Sequence, residues 1–314
     1  MRTHPHTTRS RLMLEVASEL VGKKDWPYLQ ARISLREQGS EEWPVNLFAS
    51  DSPATIDEVA SGKVQIALIN PSMIVRLAAV GSPPFKEPLP LRSIAVLPAS
   101  DQMVFAVSQE TGLNFITDIR ERRFPLKVSL RRQQDHSLHL IINQVLDAAG
   151  FSLDDIISWG GEVRYDAGMP YDPNRIGAVQ RGEIHAIFDE GVSAWGNMAL
   201  ELGMDFLALD DTVLKRLERA GMKTTVIEGA KFPKLSRDVP TLDFSGWLIY
   251  THRDAPDAVV GAFCRALEAS KDRIPWAKEG PLPLEQMVHD SAEGRLEVPL
   301  HPAAERIWRE YGYT

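Results

Sequence analysis

The chain has 314 residues, of which 44% are hydrophobic and 25% charged, the make-up of an ordinary globular protein with room for about two cores. Its 35 lysines and arginines against 43 aspartates and glutamates give a formal charge of −8, which excludes the broad basic surface needed for non-specific nucleic-acid binding or for docking on an anionic membrane. The single cysteine, Cys264, excludes an intrachain disulfide, and no apolar run approaches the ~18 residues of a membrane span, so membrane insertion is not expected.

In chain order, residues 1–10 carry charge but lead into no signal-peptide apolar core, because Leu12-Met13-Leu14 is broken at once by Glu15. From residue 10 to 21, Met13, Val16, Ala17 and Leu20 recur at helical spacing behind Ser10 as N-cap, which predicts an amphipathic helix. Residues 28–35 read as a strand, and Ser52-Pro53 opens a short helix with Asp57 and Glu58 on an early turn and Gly62 behind it. A buried strand at 64–69 follows, then strand-like stretches at 93–98 and 103–107. Residues 126–130 are a further strand, 137–149 a helix closed by Gly150, 184–188 a strand, and 242–251 another that carries Gly246-Trp247. Strand–helix alternation predicts an α/β fold with a largely parallel sheet.

The chain also resembles itself. Pro53, Ile56, Val59, Gly62 and Val64 lie at the same spacing as Pro173, Ile176, Val179, Gly182 and Ile184, and the helix ending at Gly22 matches, in the same order, the helix ending at Gly150. The expected architecture is therefore two similar open-sheet lobes with a ligand cleft between them, where the C-terminal ends of both sets of strands meet. Residues 1–102 with 246–314 form a discontinuous first lobe, 103–245 an inserted second lobe, and the two crossings the hinge.

Five loops should converge on that cleft: Thr7-Thr8-Arg9, Ser50-Asp51-Ser52, Asn70-Pro71-Ser72, residues 131–136, and Asp189-Glu190-Gly191. Arg131, Arg132 and Gln133 follow a strand and precede a helix N-terminus, the arrangement that captures a carboxylate or phosphate; the plainer alternative is an arginine that is solvated or paired with Asp135. Asn70 and Ser72 end a buried strand and can point at a ligand or simply form an Asn-Pro turn. Of Asp189 and Glu190, one can take a ligand ammonium group while the other caps the next helix, or both can be solvated loop acids. Thr8, Arg9, Ser50, Ser52, His136 and Trp247 complete the candidate ligand set, with Trp195 and Trp247 either walling the cleft or packing in the core. His136 and His139 have metal-compatible spacing without a third ligand of defined position, so no metal and no cofactor are expected. There is no G-x-S-x-G elbow, P-loop or Rossmann glycine fingerprint, and Cys264 sits among apolar helical neighbours; no constellation demands an enzyme.

Four segments, Val59-Ala-Ser-Gly62-Lys-Val-Gln-Ile-Ala-Leu68, Ala148-Ala-Gly-Phe-Ser-Leu-Asp-Asp-Ile156, Gly182-Glu-Ile-His-Ala-Ile-Phe188 and Val298-Pro-Leu-His-Pro-Ala-Ala-Glu-Arg306 with Glu310 and Gly312, resemble in order the TAXI-type solute-binding proteins of tripartite ATP-independent periplasmic transporters. The resemblance implies a type II periplasmic-binding-protein-like fold that closes about its hinge on a small organic anion, a carboxylate or amino acid, and hands it to membrane transporter subunits. It also implies a periplasmic location. Such proteins begin with an export leader, a first strand and a glycine-rich turn, whereas here only residues 1–9 precede the helix; either residues 1–4 supply a stub strand or the natural start lies upstream of Met1. The glycine-rich loop of the second lobe is replaced by Arg131-Arg-Gln-Gln-Asp-His136. The alternative is a cytoplasmic enzyme of decarboxylase or lyase type on the same scaffold, for which His136, Asp189 and Glu190 would be available, and a third is a ligand sensor without transport.

Overall fold

A computed structural model describes residues 5–23, 29–35 and 45–314, without the side chains of residues 5–7. The stub strand considered for residues 1–4, the strand start at Tyr28 and the side chain of Thr7 lie outside the described residues.

Twelve strands are described: β1 (Ala31–Leu35), β2 (Val45–Ala49), β3 (Ile66–Ile69), β4 (Leu91–Leu97), β5 (Val104–Ser108), β6 (Lys127–Arg131), β7 (Glu162–Asp166), β8 (Ala186–Asp189), β9 (Met204–Phe206), β10 (Thr224–Ile227), β11 (Val239–Leu242) and β12 (Trp247–His252). They make one sheet in the order β1-β2-β3-β12-β4, a second in the order β7-β6-β8-β5-β9, and the ribbon β10-β11. Position for position, β2-β3-β12-β4 corresponds to β6-β8-β5-β9. In each sheet the first two of these strands are parallel, and the next two are each antiparallel to the strand before them. The fold is thus α/β with two similar open sheets. The fifth position differs, because β1 runs antiparallel to β2 while β7 runs parallel to β6.

The largely parallel sheet expected from the alternation is corrected to a mixed one. The reason is topological: β5 and β12 are the strands by which the chain arrives from the other sheet, so they enter without a crossover helix and run against their neighbours.

The internal repeat folds as paired helices. Ala54–Ala60 follows Pro53, and Pro173–Gln180 starts with its proline at the first helical position, where a missing N–H costs nothing. Each is stopped by a glycine just past its cap, Gly62 at φ +74° and Gly182 at φ +68°. Helix Ser137–Ala149 buries Leu138, Ile141, Ile142, Val145, Leu146 and Ala149, one stripe at i, i+3, i+4 spacing, and ends at the left-handed Gly150.

The helix expected over 10–21 is longer than its periodicity suggested, Pro5–Gly22, with proline rather than Ser10 at its start. Thr8 and Arg9 therefore lie within a helix instead of a cleft loop, and both are exposed. Its apolar residues are exposed too, Leu12 at 57% and Met13 at 66%, so among the described residues the amphipathic stripe packs against no core face. The stripe is broad: Leu12, Met13, Leu14 and Val16 point in successive directions around the axis rather than along one line.

One apolar cluster is continuous from Ile56, Ile74 and Leu77 in the first body, through Leu248, Phe244 and Leu242, to Phe105, Ile141 and Val213 in the second. It follows the two crossings, which are bonded to each other as an antiparallel ribbon. Gly246 N–H donates to the Ala99 carbonyl at 2.9 Å, Phe244 N–H to that of Asp101 at 2.9 Å, and Met103 N–H to that of Leu242 at 3.0 Å.

Gly246 lies at φ +84°, and a Cβ there would stand 3.0 Å from Ser72 Oγ. Gly246→Ala is expected to lower stability by more than the roughly 1–2 kcal/mol of a left-handed L-residue. Gly62→Ala, with a similar φ but nothing within 4 Å of the new methyl, should cost only that conformational part. Thermal unfolding of the two variants side by side measures the difference, and equal losses would mean the crossing is not held tightly.

Candidate functional site

The C-terminal ends of β6 and β8 lie in neighbouring parallel strands and carry opposite charges, Arg131 on one and Asp189 with Glu190 on the other. Arg131 is 9% exposed. Its Nη2 donates to Asp189 Oδ1 at 2.5 Å and to the Glu190 carboxylate, and its Nη1 lies 3.0 Å from His136 Nε2. Asp189 is fully buried, and its second oxygen takes a bond from Arg175 Nη1 at 3.3 Å. Arg175, 1% exposed, also donates from Nε to Ser129 Oγ at 3.1 Å and from Nη1 to the Gly168 carbonyl at 3.2 Å. Ser129 Oγ in turn donates to Asp166 at 2.7 Å. Asp189 therefore bridges two buried guanidiniums: burial works against its charge, and Arg131 and Arg175 overcome it and hold its carboxyl below the usual range. Burial likewise opposes the charge on Arg131, but Asp189 and Glu190 keep it protonated more firmly than a free guanidinium.

The loops after β2 and β3 of the first sheet meet this end of the second directly. Ser137 N–H donates to the Asp51 carbonyl at 2.7 Å, Ser137 Oγ to the Asn70 carbonyl at 2.5 Å, and His136 Nε2 is 3.7 Å from Asp51 Oδ2. His136 Nδ1 accepts from Leu138 N–H at 3.0 Å as the helix N-cap. Two of the N–H groups that the sequence offered to an anion at this helix end are accordingly engaged by protein acceptors. Burial, then Arg131, pushes His136 down to about 3. Burial pushes Asp51 up to about 6, against Arg131 and with Glu190 and Asp135.

The remaining candidates fall in three places. Asn70 and Ser72 act on the second crossing: Asn70 Nδ2 donates to the Phe244 and Gly246 carbonyls, both at 3.1 Å, and Ser72 Oγ to the Ser245 carbonyl at 3.2 Å. Both side chains thus clamp the backbone of the second crossing, and residues 70–72 form the turn into the helix Met73–Val80. Ser50 Oγ accepts from Ser52 N–H at 3.1 Å and Ser52 Oγ from Ala54 N–H at 3.4 Å, so these two build the turn that carries Asp51. Arg132 and Gln133 line a cavity of about 380 Å³ with Arg131, Asp135 and Met169, outside the ion-pair cluster. Trp247 is 41% exposed opposite Leu97, while Trp195 is core and donates from Nε1 to the Glu190 carbonyl at 2.7 Å.

Sequence reasoning missed Arg175 and Asp101. The self-comparison held a signal for the first, since Arg175 occupies the repeat position of Thr55, itself 1% exposed against Tyr250. Asp101 lies in the first crossing; its Oδ1 accepts from Gly191 N–H at 2.8 Å and its carboxyl lies against that of Glu190. Burial, and then Glu190, push it well above the usual carboxylate range. Among the described residues no group of three or more His, Cys, Asp or Glu side chains is placed to hold a metal, and no helix is long and apolar enough to cross a membrane. Cys264 is buried, which pushes its thiol up to about 12.

The described residues thus form two similar open sheets joined by a double crossing, with a buried charge cluster where β6 and β8 end against the loops after β2 and β3. The chain belongs to the NMT1-like family, whose sequence pattern matches residues 48–312. No curated protein sequence matches it. Among solved structures it is similar to the alkanesulfonate-binding protein SsuA from Xanthomonas axonopodis pv. citri bound to MOPS, at 12% identity over 70% of this chain and 62% of that one, TM-score 0.32. It is similar to PhnD1 from Prochlorococcus marinus in complex with methylphosphonate, at 12% identity over 83% of each chain, TM-score 0.36. It is also similar to a TctC solute-binding protein from Polaromonas, at 16% identity over 68% of this chain and 66% of that one, TM-score 0.37. The likeness to SsuA spans less than two thirds of that protein's length.

Proposed function

We propose that this chain is a TAXI-type solute-binding protein of the periplasm, which closes on a small organic anion, a carboxylate or amino acid, and delivers it to a membrane transporter. In this reading residues 1–102 with 246–314 and residues 103–245 are the two lobes, and Arg131 with the His136–Ser137 turn faces the Asp51 and Asn70 loops as the two jaws. The observation that carries the reading is Arg131, a buried guanidinium at a strand end, opposite loops of the other body that already touch its neighbours His136 and Ser137. A guanidinium in such a place recognises a planar oxyanion in two-point fashion. Arg132 and Gln133, lining the adjoining cavity, are placed to hold the rest of the molecule.

Thermal denaturation against a panel of short carboxylates, amino acids, sulfonates and phosphonates tests this. A true ligand at a hundredfold excess over Kd stabilises by about 2.7 kcal/mol, and it should be recovered chemically unchanged. Arg131→Ala should weaken binding roughly 10- to 150-fold, and Arg131→Lys, which keeps the charge and loses the fork, should restore only part of it. Turnover of any member would move the chain to the enzyme class, and the absence of any stabilising member would overturn the anion reading.

A further inference from the structure

The donors of Arg131 and His136 are poorly matched to what surrounds them. A neutral imidazole has one acceptor nitrogen and one N–H. With Nδ1 accepting from Leu138, His136 Nε2 carries the proton, and it faces Arg131 Nη1, also a donor, at 3.0 Å. Arg131 Nε is buried and meets no acceptor among the described residues. The acceptors that Arg131 does meet are the protein's own carboxylates, Asp189 and Glu190, and the two are not equivalent. Asp189 is shared with Arg175 and fully buried, whereas the Glu190 side chain is 14% exposed and has Asp101 at its other side.

We infer that Glu190 is a built-in competitor for Arg131: an incoming oxyanion takes the place of its carboxylate on the guanidinium. This rests on the reading of the cleft as an anion site and adds what sets its affinity. The groups that face Glu190 are Arg131 from β6, Asp189 on its own strand end, Asp51 from the loop after β2 and Asp101 from the first crossing. Arg175 and His136 lie behind Asp189 and Arg131. Only Arg131 among the four is positive, so a Glu190 carboxylate that leaves it stands among acids, and the incoming oxyanion has to offset that cost. No bond of the ligand breaks in the exchange. Anion affinity is therefore set by the difference between two carboxylates competing for one guanidinium.

Calorimetry of the full chain with acetate as probe near pH 7 measures this directly. Glu190→Gln, which keeps the shape and removes the competing charge, should bind acetate at least about tenfold tighter than the parent. If Glu190→Gln binds no tighter than the parent, Glu190 is not a competitor and the proposal falls while the anion site stands. If neither binds acetate or any acid of the panel, the anion site falls and the proposal with it.

Discussion

Asp189→Ala should lower the stability of the fold by about 3–5 kcal/mol, the range for breaking a buried ion pair by removing one partner. Among the described residues Asp189 is the one carboxylate that touches both Arg131 and Arg175. Without it Arg175, 1% exposed, is left with Ser129 and the Gly168 carbonyl, neutral acceptors that do not balance a guanidinium charge in the interior. Arg131 would still have Glu190. Asp189→Asn keeps the size and one acceptor oxygen, so its loss should be smaller, and pairing it with Arg175→Met should recover part of the Arg175 share, because a charge and its counter-charge then leave together. Urea unfolding of the three variants measures the series. An Asp189→Ala loss under 1 kcal/mol would mean that the buried pairs only offset their own desolvation.

A second large effect is pH-dependent and is carried by Asp51. Its folded value of about 6 lies above the ordinary 3.8, so the native state holds this proton more firmly than the unfolded chain. Such a group contributes stability fully below the unfolded value and loses it as pH rises to about 6. The loss is of the order of 2–3 kcal/mol. His136 works in the other direction, since its folded value is pushed down to about 3 and the unfolded histidine binds the proton first as pH falls below about 6.5. The two nearly cancel between pH 4 and 6 in the parent, which hides both. Asp51→Asn separates them: it should be more stable than the parent at pH 7 by about 2 kcal/mol, with the advantage gone by pH 4. An advantage that is constant with pH would show that the substitution acts through packing or the Ser137 bond rather than through the charge.

The α/β alternation and the paired Pro-to-Gly helices were legible because they depend on local chemistry: a fixed φ at the start, a left-handed glycine at the end, and an apolar stripe between. Strand direction was not. Whether β5 and β12 run with or against their neighbours depends on where the chain came from, and no residue of either strand records that. The loop positions of Arg131, His136, Asp189 and Glu190 followed from the strand ends, and the fold gathers all four. Their mutual pairing was hidden, because each was weighed as a donor or acceptor toward a ligand, whereas the nearest opposite charge came from the neighbouring strand 58 residues away. Asn70 and Ser72 were hidden for a related reason: their partners, Phe244 to Gly246, are more than 170 residues distant. Helix Pro5–Gly22 shows the converse, a period in the sequence that packs against no core face among the described residues.

The double crossing has a mechanical consequence. A single connecting strand is a swivel, free to turn about its own bonds, but here two strands are cross-linked by the rungs at Ala99–Gly246, Asp101–Phe244 and Leu242–Met103. Such a ribbon flexes out of its plane like a leaf spring and resists torsion and sliding, since either would shear the rungs. The two sheets are consequently held in one torsional setting, with Ser137 bonded to two carbonyls across from it, those of Asp51 and Asn70. That setting is in this way supported by the ribbon as well as by the Ser137 bonds themselves.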